Sequence, residues 1–233
     1  MSHGFVAIND QSLIQIDENF INFQVYSHGA INISGYEPAV LVYPKNAIVF
    51  VKPTAYDSSI RFFVSGNIET SPTTLASYLH AVYSSGAVPE AFNPATASLE
   101  YLIVVPTNVI GDVTAGYGMN VYNGAGNLVF SSIRRTVSIQ QVNTITYSSF
   151  LDSPPAISIS KASNLDWLEL SCLADAFNYY FDDGTDYYIV NVASSVAFVS
   201  STSINFRKAY ILGSPGFMVG GYNLTKNIIL AKY

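Results

Sequence analysis

The sequence is short of charge, of cysteine and of histidine. Asp, Glu, Lys and Arg supply 11% of its 233 residues, less than half of the roughly 25% usual in soluble domains. The single cysteine, Cys172, excludes an intrachain disulfide framework; within the apolar run 168–173 it reads as a small buried hydrophobe. Three histidines, His3, His28 and His80, are far apart and have no His or Cys partner at i+3 or i+4. Zinc-type spacing is therefore absent, and no metal is expected. His3 reads as a solvated residue near the start, His28 as a turn residue in Ser27-His28-Gly29, and His80 as part of a short helix. Ten Lys and Arg against 16 Asp and Glu give a net charge of -6. With no basic cluster, this argues against a nucleic-acid partner. The apolar runs, such as 47–51 and 102–105, are too short to cross a bilayer. Met1-Ser2-His3-Gly4 supplies neither the basic nor the long apolar region of a signal peptide.

What is abundant is strand-forming sequence. Hydrophobic residues make up 49% of the chain, with 17 Tyr and 14 Phe, ample to build a core and too much for a disordered tail. Val, Ile, Tyr, Phe and Thr gather in runs bounded by Asn, Asp, Gly, Ser and Pro. These runs predict strands at 5–8, 13–16, 20–26, 39–43, 47–51, 60–64, 101–105, 119–122, 128–130, 136–147, 187–192, 196–199, 204–212 and 228–232. Centres about ten residues apart suit an all-β, antiparallel sandwich with at most one or two short helices.

One helix candidate opens at Ser71-Pro72, with Ser71 as N-cap, Pro72 at the first helical position, a stripe of Leu75, Leu79 and Val82, and Gly86 as its end. The stretch 164–181 fits both a helix and period two. Boundaries are faint: the chain reads as a single β-rich unit, with subdivision near 112–116 or 152–156 as the alternative, since neither break is long or polar enough for a flexible linker.

Catalytic patterns are missing. No Gly-x-Ser-x-Gly elbow, no Gly-rich loop ending in Lys-Ser/Thr and no Gly-x-Gly-x-x-Gly is present, so no cofactor is expected. The run Asp182-Asp183-Gly184-Thr185-Asp186 lacks the ligand order of a calcium loop and reads as a hairpin turn between Tyr179-Tyr180-Phe181 and Tyr187-Tyr188-Ile189. If those tyrosines face outward, Tyr179, Tyr180, Asp182, Asp183, Asp186, Tyr187 and Tyr188 form an amphipathic platform for a glycan or a protein. The alternative is that period two divides them between core and surface. Polysaccharide cleavage needs only two converging carboxylates, and no pair is singled out here.

Two segments echo each other. Gly4-Phe5-Val6-Ala7-Ile8-Asn9 leads through Gln11-Ser12 to Leu13-Ile14, and Gly118-Met119-Asn120-Val121-Tyr122-Asn123 leads through Gly124-Ala125-Gly126 to Leu128-Val129. Both predict β-hairpins. The first, continued by Ile16-Asp17-Glu18-Asn19-Phe20-Ile21-Asn22-Phe23, resembles the start of a family of small tail proteins of tailed bacteriophages. The stretch Tyr117–Ser132 resembles that family's second hallmark, a Tyr-Gly-apolar-x-Val-aromatic-Asn hairpin closed by Gly-x-Leu-Val-Phe. The first turn departs from the pattern, carrying Gln11-Ser12 where glycine is more typical. Together the two motifs cover about 36 residues, and the part after Pro154 has no counterpart in the resemblance.

The resemblance implies a virion component of the distal tail, tail tip or fibre-attachment region, made in the host cytoplasm. It implies a structural, non-enzymatic role exercised by assembly with other tail proteins, as a ring or trimer. The alternatives are a module binding a host glycan or pilus and, behind it, a depolymerase.

Overall fold

A computed structural model describes residues 6–8, 14–17, 23–84, 93–110, 117–147, 157–173, 177–182, 187–212 and 224–233. In chain order its strands begin with β1 (Val6–Ile8), β2 (Ile14–Asp17), β3 (Phe23–Ile33), β4 (Ala39–Pro44), β5 (Ile48–Pro53) and β6 (Ile60–Ser71). They continue with β7 (Thr74–Tyr83), β8 (Ala97–Pro106), β9 (Asn120–Tyr122), β10 (Leu128–Ser131), β11 (Ser138–Tyr147) and β12 (Ile157–Ser160). The last are β13 (Trp167–Glu169), β14 (Phe177–Asp182), β15 (Tyr187–Ser200), β16 (Ser203–Leu212) and β17 (Leu224–Lys232). One helical turn, α1 (Thr107–Ile110), and one 3-10 turn, Leu170–Leu173, are the helical elements among the described residues.

All strand pairings are antiparallel. A six-stranded sheet runs β11-β17-β13-β5-β8-β3, and a seven-stranded sheet runs β12-β16-β15-β6-β7-β4 with β14 paired to one end of β15. Two small hairpins, β1-β2 and β9-β10, are the segments that echo each other in sequence. The sheets enclose one core. Val49, Val51, Leu99, Ile103, Leu168 and Leu230 from the first meet Leu41, Phe62, Val64, Leu79, Phe198 and Phe206 from the second. Both suggested boundaries, 112–116 and 152–156, lie outside the described residues. Residues before and after them, from Ile33 to Leu230, share this one core.

The expected all-β sandwich is what forms. Some local expectations differ from it. Ser71-Pro72 starts a hairpin and not a helix: Ser71 pairs with Thr74 across a two-residue turn, and the Thr73 N–H donates to Ser71 Oγ at 3.2 Å. The capping chemistry expected of Ser71 is present but closes a β-turn. Period two over Leu75, Ser77, Leu79 and Ala81 prevails because β4 and β6 flank β7 on both sides and satisfy its backbone. The stretch 164–181, which fits both a helix and period two in sequence, divides into β13, the 3-10 turn carrying Cys172, and β14. β15 also differs, being one strand of 14 residues where two were expected.

Pairing with β14 over 187–192 and with β16 over 191–200 carries the strand through 193–195, between the two predicted strands, where Ser195 lies. Small Ser195 leaves room for Arg61 to lie across the outer face of the seven-stranded sheet. Arg61 Nε donates to Ser195 Oγ at 3.0 Å, and Nη2 donates to the carbonyls of Ser195 and Asn205 at 3.4 and 3.2 Å. Ser195 Oγ in turn donates to the Arg207 carbonyl at 3.2 Å.

Candidate functional site

The functional features converge on the outer face of the six-stranded sheet. Phe50, Leu102, Val104, Trp167 and Ala231 form a second apolar cluster there, with Val25, Ile48, Val137 and Ile229 packed against it. Lys52 Nζ lies 4.9 Å from the centre of the Trp167 ring, and Tyr233 meets that ring edge-on at 6.0 Å.

Among the described residues the exposed margin of this face is β11, which pairs with β17 on one side and is the last strand of its sheet. A bulge between Ile139 and Gln141 shifts its register, so Ile139 lies opposite Ala231 and Val142 opposite Ile229. The extra residue thereby brings two apolar side chains to the same outer face. Ile139 is 52% and Val142 59% exposed. The ten residues of β11 contain no Asp, Glu, Lys, Arg or Pro, so of the devices that ordinarily blunt an edge strand it carries the bulge but neither charge nor proline. The other terminal strands, β3, β4 and β12, also lack charged residues.

Immediately before β11 lies a basic cleft of about 450 Å³ lined by Phe130, Ser132, Arg134, Arg135, Thr136 and Tyr233. The β9-β10 hairpin builds it. Its turn is closed by Gly126 N–H donating to the Asn123 carbonyl at 2.9 Å, with Asn123 Oδ1 accepting from the N–H groups of Ala125 and Asn127. Gly126, at φ 80°, takes the left-handed position that follows a type I turn. Gly118 lies so close beneath Ile133 that a Cβ there would collide with Ile133 Cγ1 and come within 2.8 Å of Ser132 Oγ.

The hairpin docks on β3. Gln24 Nε2 donates to the Ser131 carbonyl at 2.6 Å, and Val25 N–H donates to the Arg135 carbonyl at 2.9 Å. Arg135 Nη1 donates to Tyr233 Oη at 3.3 Å, and its guanidinium stands 5.6 Å from the Tyr233 ring centre. Burial pulls the Arg134 pKa below its ordinary value. Gln24 Oε1, Asn120 Oδ1, Ser131 Oγ and Arg134 Nε are buried without a hydrogen-bond partner. Gln24 is on the receiving strand, Asn120 and Ser131 are on the hairpin, and Arg134 follows it.

The sequence-predicted platform falls elsewhere. Tyr179, Tyr180 and Asp182 are on β14, and Tyr187 and Tyr188 on β15, where Phe181 pairs with Tyr188 and Asp182 with Tyr187. The backbone thus forms the expected hairpin; Asp183 and Asp186 lie outside the described residues. Sequence reasoning passed over Arg134 and Arg135, although two adjacent arginines at the end of a strong hairpin signal in a chain of only ten Lys and Arg were a usable cue.

The histidines are also placed differently. His3 is outside the described residues. His28 is an exposed residue within β3 rather than in a turn, its ring 6.5 Å from that of Tyr233. Gly29 beside it belongs in the strand because Tyr101, its cross-strand partner, lies over it: a Cβ there would sit 2.8 Å from Tyr101 Oη. His80 is in β7, stacked on Phe63 at 4.9 Å with Nε2 2.9 Å from Ser65 Oγ.

Burial lowers the His80 pKa below 6.5. Below about pH 6.5 the unfolded chain therefore binds the proton more readily than the folded one, and His80 costs stability as pH falls. The melting temperature is expected to drop from pH 7.5 to pH 5 (roughly the window around an unperturbed histidine), with a shallower fall in His80→Gln.

A polar cluster at Lys161 is structural. Lys161 Nζ donates to Asp166 Oδ1 at 3.0 Å and to the Ser201 carbonyl at 2.5 Å, and Tyr56 Oη donates to the same Asp166 oxygen at 2.7 Å. Burial and the hydrogen bond to Asp166, reinforced by its charge, push Tyr56 up to about 12. For Asp166, burial acts upward. The hydrogen bonds from Tyr56 and Lys161, with the charges of Lys161 and Lys52, outweigh it and hold the carboxyl below its ordinary value. With its polar groups paired this way, the cluster ties the 161–166 turn to neighbouring loops.

Among the described residues, no three His, Cys, Asp or Glu side chains converge as a metal site requires, and no helix is long and apolar enough to cross a membrane. The described residues define an all-β antiparallel sandwich with an uncharged terminal strand and an arginine cleft. Compared with family models, with curated proteins and with solved structures, the chain has no match in any of the three.

Proposed function

We propose that this protein is a structural, non-enzymatic subunit of a bacteriophage tail, in the distal tail, tail tip or fibre-attachment region, acting by association with copies of itself and with neighbouring tail proteins. The tail assignment rests on the resemblance of the Gly4–Phe23 and Tyr117–Ser132 hairpins. The observation that carries assembly is β11: a ten-residue uncharged edge with Ile139 and Val142 exposed on one face. A strand added along such an edge pairs with its backbone while covering the two apolar side chains. Low overall charge and abundant Ser, Thr and Asn suit repeated, partly polar contacts between subunits.

The test is sedimentation velocity across a wide concentration range, joined to mass spectrometry of purified particles. The full chain is expected to associate and to be found in particles. Val142→Lys, a change at an exposed position with little effect on folding, is expected to leave it monomeric. A wild-type chain that stays monomeric and is absent from particles would overturn the proposal.

A further inference from the structure

The arginine cleft has features that strand-to-strand assembly does not use. We infer that the cleft lined by Phe130, Ser132, Arg134, Arg135, Thr136 and Tyr233 is a binding site for a carboxylated sugar, a hexuronic-acid unit of an acidic polysaccharide.

Three observations carry this. The first is volume: about 450 Å³ falls within the range of small-ligand clefts and admits a sugar ring. The second is charge. In a chain of net charge -6, two arginines line the cleft, and among the described residues no acidic side chain lines it. Arg134 Nε is buried with no acceptor. An incoming carboxylate meets the guanidinium from the cleft side, accepting from its terminal N–H groups in their planar fork geometry.

The third is the remainder of the lining. Phe130 and Tyr233 supply ring surface for the apolar face of a pyranose. Ser132 Oγ already accepts from the Met119 N–H at 2.7 Å, which leaves its own proton to donate. Tyr233 Oη likewise accepts from Arg135, leaving its proton for a sugar hydroxyl. Thr136 adds a third hydroxyl at the rim. Charge for one carboxylate, hydroxyls that both give and take hydrogen bonds, and aromatic walls together fit a uronic acid. An inorganic anion would use the arginines alone. An acidic peptide would leave the hydroxyls and rings without matched partners.

The experiment is calorimetric titration of the full chain with trigalacturonate, its methyl ester, triglutamate, acetate and inorganic phosphate. Trigalacturonate is expected to bind, and the neutral ester to bind at least about tenfold more weakly, the scale of a lost charge-assisted hydrogen bond. Arg134→Gln is expected to weaken trigalacturonate by a similar factor. Arg135→Gln, at an exposed position, is a second variant that leaves the fold intact, with the same direction expected. Tyr233→Ala is expected to weaken trigalacturonate while leaving phosphate unchanged.

Absence of trigalacturonate binding overturns the inference. So does binding that neither arginine variant weakens, or equal binding of the methyl ester. Phosphate, acetate or triglutamate binding as tightly as trigalacturonate overturns the sugar assignment. The subunit-association test is independent of all these outcomes, because Val142 is not among the cleft residues.

Discussion

Phe198→Ala is expected to cost about 3–5 kcal/mol of stability, the largest loss from any single truncation considered for this protein. Phe198 is 1% exposed and lies opposite Ile204 in the β15-β16 ladder, with its ring 6.0 Å from that of Phe62 in an edge arrangement. Both rings belong to the core that the two sheets share. The cost has two parts: the transfer free energy of the lost ring, and the cavity left because strands fixed in two ladders cannot close inward. In a chain of this length each kcal/mol lowers the melting temperature by roughly 2–4 °C, so a fall of about 6–20 °C is expected in thermal denaturation. Phe198→Leu, which keeps most of the volume, should lose far less. Equal losses for Ala and Leu would show that the site is not close-packed.

Arg61→Ala is expected to cost about 2–4 kcal/mol, for electrostatic rather than packing reasons. Arg61 is 2% exposed and ties β6 to β15 and β16 through Ser195 Oγ and the Ser195 and Asn205 carbonyls. Removing the guanidinium takes a charged donor from all three acceptors at once, in a place where water does not replace it. Arg61→Lys should recover only part of the loss, since a single ammonium on a flexible stem lacks the fork that reaches a hydroxyl and two carbonyls together. Urea denaturation of the three proteins gives the comparison; full recovery by lysine would mean that charge alone, without the fork, holds these strands.

Much of the fold was legible because β-sheet chemistry is local. Runs of Val, Ile, Tyr, Phe and Thr broken by turn residues marked where strands lie, and the Asn123–Asn127 turn carried its own hydrogen-bonding side chain. Where two local signals competed, sequence could not arbitrate. Ser71-Pro72 serves a helix start and a hairpin turn equally well, and Leu75, Leu79 and Val82 fit a helical stripe until β4 and β6 are seen to bracket β7. His28 and Gly29 resemble a turn in one dimension, but Tyr101 across the ladder makes the glycine a strand residue.

The candidate site was less legible. Nothing in the order of residues says that Ile139 and Val142, three apart, share a face; one bulged residue decides it. Nor does the sequence bring Tyr233 to Arg135, nearly a hundred residues earlier, or leave Arg134 Nε buried without an acceptor. The Tyr-rich hairpin drew the eye in sequence because its chemistry is contiguous, whereas the arginine cleft is assembled from a hairpin and the far end of the chain.

By itself, then, the sequence determined the all-β class, the positions of most strands and the two echoing hairpins. Their causes are side-chain shape, turn chemistry and the scarcity of charge, all of which act within a few residues. The tertiary structure alone decided the order of the described strands in each sheet, which apolar residues the bulge brought to one face, and where two arginines met an aromatic wall. Those outcomes depend on pairing register between distant segments, where a shift of one residue exchanges the inner and outer faces.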